Sequence, residues 1–218
     1  MCLLAVTGLA VSVHAADEEP VYDPPRLGFT SPMHEDPELV APGFSSHLPD
    51  RLPGLWIDAL ARPEAEIQRR SAQAIETAHR RGYGTMAEAV IPLTARLSDA
   101  EAHPTVRLAA ATALGQIDGR SAGPALLAYN RDGTYVDILQ TDPILARWQV
   151  EGAAALWRQR LSGRERAIIR KSALQSLATV GHTAAGPRML ELAGDRMAPV
   201  VVRLAAAEAA GKLQIDGA

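Results

Sequence analysis

One segment recurs along the chain, and this recurrence constrains the fold more than any other sequence feature. Residues 104–130 read PTVRLAAATALGQIDGRSAGPALLAYN, and residues 167–193 read AIIRKSALQSLATVGHTAAGPRMLELA. Residues 199–214 match the first half of this segment, and residues 66–78 are a more distant match. A unit of this length cannot bury its apolar face alone, but stacked neighbouring units can. The recurrence therefore predicts a repeat array.

Each copy has the apolar period of a helix. Between residues 105 and 117, apolar residues recur every three or four positions and so share one helix face. Pro104 suits a first helical turn, and Asp118-Gly119 suits the end of the helix. The sequence from Pro124 then starts a second, shorter helix. Each unit is therefore predicted to be a helix, a tight turn and a second helix.

Aligned copies share small and basic residues at fixed positions. An apolar anchor residue is followed by a basic residue in three of the four copies, and the fourth residue after the anchor is small in all of them. Small residues at these positions would let neighbouring helices approach closely. The basic residues are Arg107, Arg170 and Arg203, and the small residues are Ala110, Ala173 and Ala206, with Ser71 in the first copy.

Uneven spacing of the anchors indicates a further, degenerate unit. The anchors are Ile67, Val106, Ile169 and Val202, and the interval from Val106 to Ile169 is nearly twice the interval from Ile169 to Val202. The longer interval has room for one more unit. Residues 144–157 (ILARWQVEGAAALW) are the candidate for its first helix, with Arg147, Val150 and Ala154 in the matching places.

The pattern V-R-x-x-A-x-x-x-L-G, followed by a short loop and G-P-x-L-L, resembles HEAT repeats. It is most similar to the short HEAT-like type first described in phycobilin lyases, and the resemblance covers about residues 66–217. It implies an all-α fold, a right-handed α-solenoid of four to five helix-turn-helix units that binds other macromolecules. In this family the repeat arginine usually supports packing between units. The resemblance therefore gives Arg107, Arg170 and Arg203 a structural role first.

The N-terminus has the features of an export signal. Residues 1–13 carry no charge and include a short apolar run, Val13-His14-Ala15 offers the small residues that a signal peptidase reads, and a polar stretch follows. We expect cleavage after Ala15 and a periplasmic or extracellular protein without a membrane span. Without cleavage, the segment would anchor the protein to the envelope. A buried N-terminal helix is the alternative.

Residues 16–51 are predicted to be an acidic, proline-rich arm that precedes a repeat domain at 52–218. Residues 16–50 hold eight acids and one base, whereas residues 51–218 hold 17 acids and 21 bases. Nine prolines between Pro20 and Pro63 block regular helix. Two roles are open for this arm: it lies across the basic surface of the repeat domain, or it is a solvated tail.

Catalytic patterns in the sequence do not fit a helical repeat. Gly119-Arg120-Ser121-Ala122-Gly123 satisfies G-x-S-x-G, but a nucleophile elbow needs a preceding strand. Here a helix is predicted to end at Ile117, so the pattern lies in the turn of a repeat unit. No pair of histidines has the helical spacing of a zinc site. We therefore predict a protein that is not an enzyme and needs no metal or cofactor.

A basic cluster is the candidate partner-binding surface, with Glu165 as the single acid among its bases. It consists of Arg158, Arg160, Arg164, Arg166, Arg170 and Lys171. Such a cluster suits an acidic protein segment, an anionic polysaccharide or a lipid headgroup, or it is a solvated helix end. Trp148 and Trp157, just before it, are predicted to fill the core.

The functional hypothesis is an exported, non-catalytic scaffold that binds a protein partner. The formal net charge of −3 gives no overall attraction to nucleic acid, so none is expected as a partner. The alternative is an accessory subunit of an enzyme, like the lyases with similar repeats, that holds a substrate protein while chemistry occurs.

Overall fold

A computed structural model describes residues 49, 51–84, 86–162 and 164–215, which belong to the unit Ser45–Ala218. The predicted signal peptide and nearly all of the predicted arm lie outside these residues. The described residues form helices and turns without a strand. The α-helices are α1 Leu52–Leu60, α2 Ala65–Arg80, α3 Val90–Ser98, α4 Pro104–Gln116, α5 Gly123–Asp132, α6 Tyr135–Trp148, α7 Ala153–Ser162, α8 Ala167–Thr179, α9 Gly186–Gly194 and α10 Val200–Lys212.

The helices form two alternating sets, which confirms the predicted α-solenoid. The long helices α2, α4, α6, α8 and α10 stack on one another in chain order. The short helices α1, α3, α5, α7 and α9 lie between them along the chain, and each packs on the long helix that follows it. A long helix therefore contacts the short helix of the preceding unit more extensively than the short helix of its own unit.

The small residues at the fixed repeat positions lie where the long helices pack. Ala110, Ala173 and Ala206 are fully buried. The anchors Val106 and Val202 are also fully buried, and the equivalent Ile169 is 5% exposed. The predicted anchor of the first copy is wrong, because Ile67 is 42% exposed. Because the alanine side chains are small, the backbones of neighbouring long helices can approach each other closely. The core consists mainly of many alanines with interleaved leucines, rather than of large aromatic rings.

The degenerate unit exists, but the predicted position of its first helix is wrong. Residues 144–157 span the end of α6, a turn and the start of α7. The turn contains two residues with positive φ, Gln149 at 54° and Gly152 at 85°, which end one helix before the next begins. Helix α6 starts earlier because a capping box of Thr134 and Asp137 fixes its N-terminus.

Because α6 begins at Tyr135, the anchor of the degenerate unit is Ile138. It lies almost midway between Val106 and Ile169, so the repeat has a nearly constant period in this region. The fourth residue after this anchor is Asp142, which takes the place of the buried alanines in the other units.

Among the described helices, none is long and apolar enough to cross a membrane.

Candidate functional site

A buried polar network surrounds Asp142 in the middle of the array. The Asp142 side chain is fully buried, and its Oδ1 accepts hydrogen bonds from Asn130 Nδ2 at 2.9 Å, Trp157 Nε1 at 2.9 Å and Arg160 Nη1 at 3.0 Å. Its Oδ2 accepts from Ser172 Oγ at 2.7 Å. Four donors thus compensate one buried carboxylate, as a charge in a low-dielectric interior requires.

The network also supplies hydrogen-bond acceptors for the buried guanidinium of Arg160. Arg160 is 4% exposed, and its Nη2 donates to the carbonyl oxygen and the Oδ1 of Asn130 at 2.9 and 2.8 Å. Asn130 Nδ2 donates in addition to Thr141 Oγ1 at 2.7 Å. These residues come from α5, α6, α7 and α8, so the network ties together four helices across three units. Its members are buried, and we therefore assign it a role in holding the array rather than in contacting a ligand.

The predicted basic cluster is divided between surface and interior. Arg158, Arg164 and Arg166 are exposed, and Arg170 and Lys171 are half-buried. Arg160 must be removed from the surface cluster, because its guanidinium is enclosed in the polar network. Sequence alone gives no sign of this difference, since the partners of Arg160 come from distant parts of the chain.

One member of the cluster contacts an aromatic ring. The Arg166 Cζ atom lies 5.2 Å from the centroid of the Tyr135 ring, within the range of a cation–π contact. Tyr135 begins α6 and Arg166 directly precedes α8, so the starts of these two long helices lie side by side. Trp148 and Trp157 are buried, as predicted for core residues.

The three repeat arginines have different surroundings. Arg107 Nε donates to the Leu97 carbonyl oxygen at the end of α3 at 3.1 Å, and its Cζ lies 4.9 Å from the Tyr129 ring centroid. These contacts tie α4 to both neighbouring short helices. The Nε atoms of Arg170 and Arg203, in contrast, are buried without a hydrogen-bond partner among the described residues.

The long-helix face carries exposed apolar side chains near the end of the described array. Ile168 of α8 is 40% exposed, and Val201 and Leu204 of α10 are 38% and 60% exposed. Ile168 and Val201 occupy the same repeat position on neighbouring helices. Further along this face, a cleft of about 270 Å³ lies between α8 and α10, and its lining residues include Gln175 and Glu208. Contiguous exposed apolar patches can mark interaction surfaces, whereas single exposed apolar residues are ordinary.

Ser121 lies in the turn between α4 and α5. Residues 120–122 form a single 3-10 turn, which follows helix α4 and leads directly into helix α5. The element before Ser121 is thus a helix, as predicted from the repeat, whereas a nucleophile elbow has a strand there. In the described part of the chain, no group of three His, Cys, Asp or Glu residues could hold a metal ion.

Comparisons with known proteins agree with this architecture. Residues 54–141 match the family model for HEAT repeats. No curated protein sequence matches the chain. Among solved structures, the complex of CpcE and CpcF of phycocyanin lyase from Nostoc sp. PCC7120 contains a similar chain, with a TM-score of 0.60 and 22% sequence identity. The similarity covers 76% of this chain and 66% of that one, so this chain spans slightly less than two thirds of the lyase chain. Residues 54–141 therefore resemble HEAT repeats, and the chain shares its helical-repeat fold with the similar lyase chain.

Proposed function

We propose that this chain is an exported, non-catalytic scaffold that binds a protein partner on its long-helix face. The observation that carries the proposal is the patch formed by Ile168, Val201 and Leu204, which continues towards the cleft between α8 and α10. A partner helix that covered this patch would bury apolar surface now in contact with water, at about 25 cal/mol per Å². Repeat arrays present such extended surfaces because each unit contributes the same face.

A second function, an accessory subunit that holds a substrate protein for an enzyme, is supported by the similar lyase chain. That chain belongs to the complex of CpcE and CpcF of phycocyanin lyase. The two functions share the binding step and differ in the fate of the bound protein. If a modifying enzyme converts the captured protein faster when this chain is present, the accessory role is favoured.

Capture of the partner from an envelope extract tests the proposed surface. The full chain serves as bait beside Leu204→Glu and a control, Ile91→Glu. Ile91 is 81% exposed on the short helix α3, so the control introduces the same charge outside the long-helix face. We expect the wild type and Ile91→Glu to retain the same protein and Leu204→Glu to lose it. Equal retention by all three baits would contradict the proposed surface.

Export rests on the sequence of residues 1–15, and the mature N-terminus tests it. Sequencing the protein from its native cell should find Ala16 as the first residue. Release from the envelope without detergent would agree with cleavage, whereas a requirement for detergent and a retained Met1 would favour the anchored form. A cytoplasmic protein with an intact N-terminus would contradict the export proposal.

A further inference from the structure

A row of cations follows one edge of the described array, where short helices end and long helices begin. We call it the cationic edge and define it as Arg164, Arg166, Arg170, Arg196 and Arg203. Its residues come from the α7–α8 and α9–α10 connections and from the first turns of α8 and α10. Glu165 and Asp195 are the acids in these segments. From 158 to 203 the chain holds nine Arg or Lys residues and three acids. Arg160 is paired with Asp142 and Arg188 with Glu191, which leaves seven cations and two acids in this region.

Arg107 shows how a repeat arginine is satisfied inside the fold. Its Nε has a carbonyl acceptor at the end of the preceding short helix, and its guanidinium stacks on Tyr129. At Arg170 the equivalent carbonyl, that of Leu161, instead accepts from Arg188 Nη2 at 3.2 Å. The position equivalent to Tyr129 is Leu192, which offers no aromatic ring.

The described part of the chain does not neutralise Arg170 or Arg203. The described residues provide neither of them with an ion-pair partner, and their Nε atoms have no acceptor there. A buried donor without an acceptor is unfavourable in the folded state. The two side chains occupy the same repeat position on the adjacent helices α8 and α10, so they form consecutive steps of one cationic row.

The starts of α8 and α10 add to the positive potential of this edge. In the described residues, neither helix has a side-chain N-cap or an acidic residue in its first turn. The first backbone N–H groups of a helix carry a partial positive charge when no acid compensates them. Helix α6 is different, since Asp137 and Thr134 cap its N-terminus. The cationic charge is thus concentrated on the last two long helices.

We propose that the cationic edge binds an acidic segment of the protein partner, with its carboxylates at Arg170 and Arg203. This inference rests on the proposed scaffold function and specifies the chemistry of the partner. Guanidinium groups bind carboxylates through paired, charge-assisted hydrogen bonds. The edge is confined to two connections and the helix starts that follow them, and Glu165 and Asp195 lie beside its arginines. This arrangement suits a short acidic peptide better than the continuous charge of a nucleic acid.

Binding of a labelled poly-L-glutamate peptide to the full chain tests the inference by fluorescence anisotropy. The test variant is Arg170→Gln/Arg203→Gln, and the matched control is Arg107→Gln. We expect the double variant to bind about tenfold more weakly or worse. It should unfold at the wild-type temperature or above it, because it removes two buried donors that have no acceptor among the described residues. The control should unfold at a lower temperature and bind like the wild type, since its partners lie within the fold.

Three results would overturn the inference. The first is equal binding by the double variant and the wild type, and the second is an equal loss of binding in Arg107→Gln. The third is stronger binding of a heparin or DNA oligomer at the same edge, which would assign it to another class of polyanion. If poly-L-glutamate binding fails while partner capture still depends on Leu204, the scaffold function stands and the acidic-segment inference does not.

Discussion

Replacing Asp142 by alanine would remove the centre of the buried polar network. The substitution leaves Trp157 Nε1, Ser172 Oγ and one Arg160 nitrogen without their acceptor. Arg160 would remain charged and buried, with Asn130 as its remaining partner in the network. Removing one member of a buried ion pair typically costs about 3–5 kcal/mol, because the other charge is left uncompensated.

We therefore expect Asp142→Ala to lower the free energy of unfolding by about 3–5 kcal/mol. For a domain of this size, each kcal/mol shifts the melting temperature by about 2–4 °C, so the expected loss is roughly 6–20 °C. Urea unfolding followed by circular dichroism in the far ultraviolet measures the first quantity, and a thermal scan measures the second. A loss below about 1 kcal/mol would refute the argument that the network holds the four helices together.

Two further variants test whether the expected loss of stability comes from the polar network or would follow from any substitution in the core. Ala110→Asp places a carboxylate at the equivalent position in α4, where the native alanine is fully buried, so we expect a loss of similar size. In Asp142→Ala/Arg160→Met no charge of the pair is left uncompensated, and the double variant should be less destabilised than the sum of the two single ones. Strictly additive losses would show that the two residues do not stabilise each other.

Three other predictions concern single positions. Thr134→Ala removes the hydroxyl of the α6 capping box and should cost about 1 kcal/mol in urea unfolding. Hydrogen bonds from Arg69 and Arg70 lower the pKa of Glu66 from 4.5 to about 2. A lowered pKa means that the stabilising contribution is complete above the unfolded-state pKa and is lost as the pH falls towards the folded-state value. The difference in stability between wild type and Glu66→Gln should disappear over that interval, and a constant difference would contradict it. Ser121→Ala should leave partner capture and any associated activity unchanged, and a loss would reopen the question of a catalytic serine.

Sequence reasoning finds the regular units because their packing residues are local and periodic. The anchors and small residues recur at fixed positions, so the helices at 104–130 and 167–193 follow from apolar period and turn residues alone. The same reasoning locates the degenerate unit but predicts the wrong bounds for its helices. Pro143 lies inside α6 and resembles a helix boundary, while the true boundary is the turn with Gln149 and Gly152 at positive φ.

The partners of individual charges could not be predicted, because they depend on contacts between distant segments. Arg160 and Arg158 look equivalent in sequence, yet one is buried against Asp142 and the other is exposed. Arg107 and Arg170 share a repeat position, yet a competing donor, Arg188, occupies the carbonyl that Arg170 would otherwise use. Once the period 138, 169 and 202 is known, Asp142 stands out as an acid at a position of small residues, and this is the signal that sequence reasoning missed.

The Asp142 network limits how this array can change its length during evolution. Repeat arrays grow and shrink by copying units, which works when every unit presents the same surface to its neighbours. A copy of the α6–α7 unit placed after α9 would meet Ala193 where Asn130 now stands and Ala205 where Ser172 now stands. The copied aspartate would lose two of its donors at once. Duplication of the outer units is therefore tolerated more easily, and the middle unit is expected to remain a single copy.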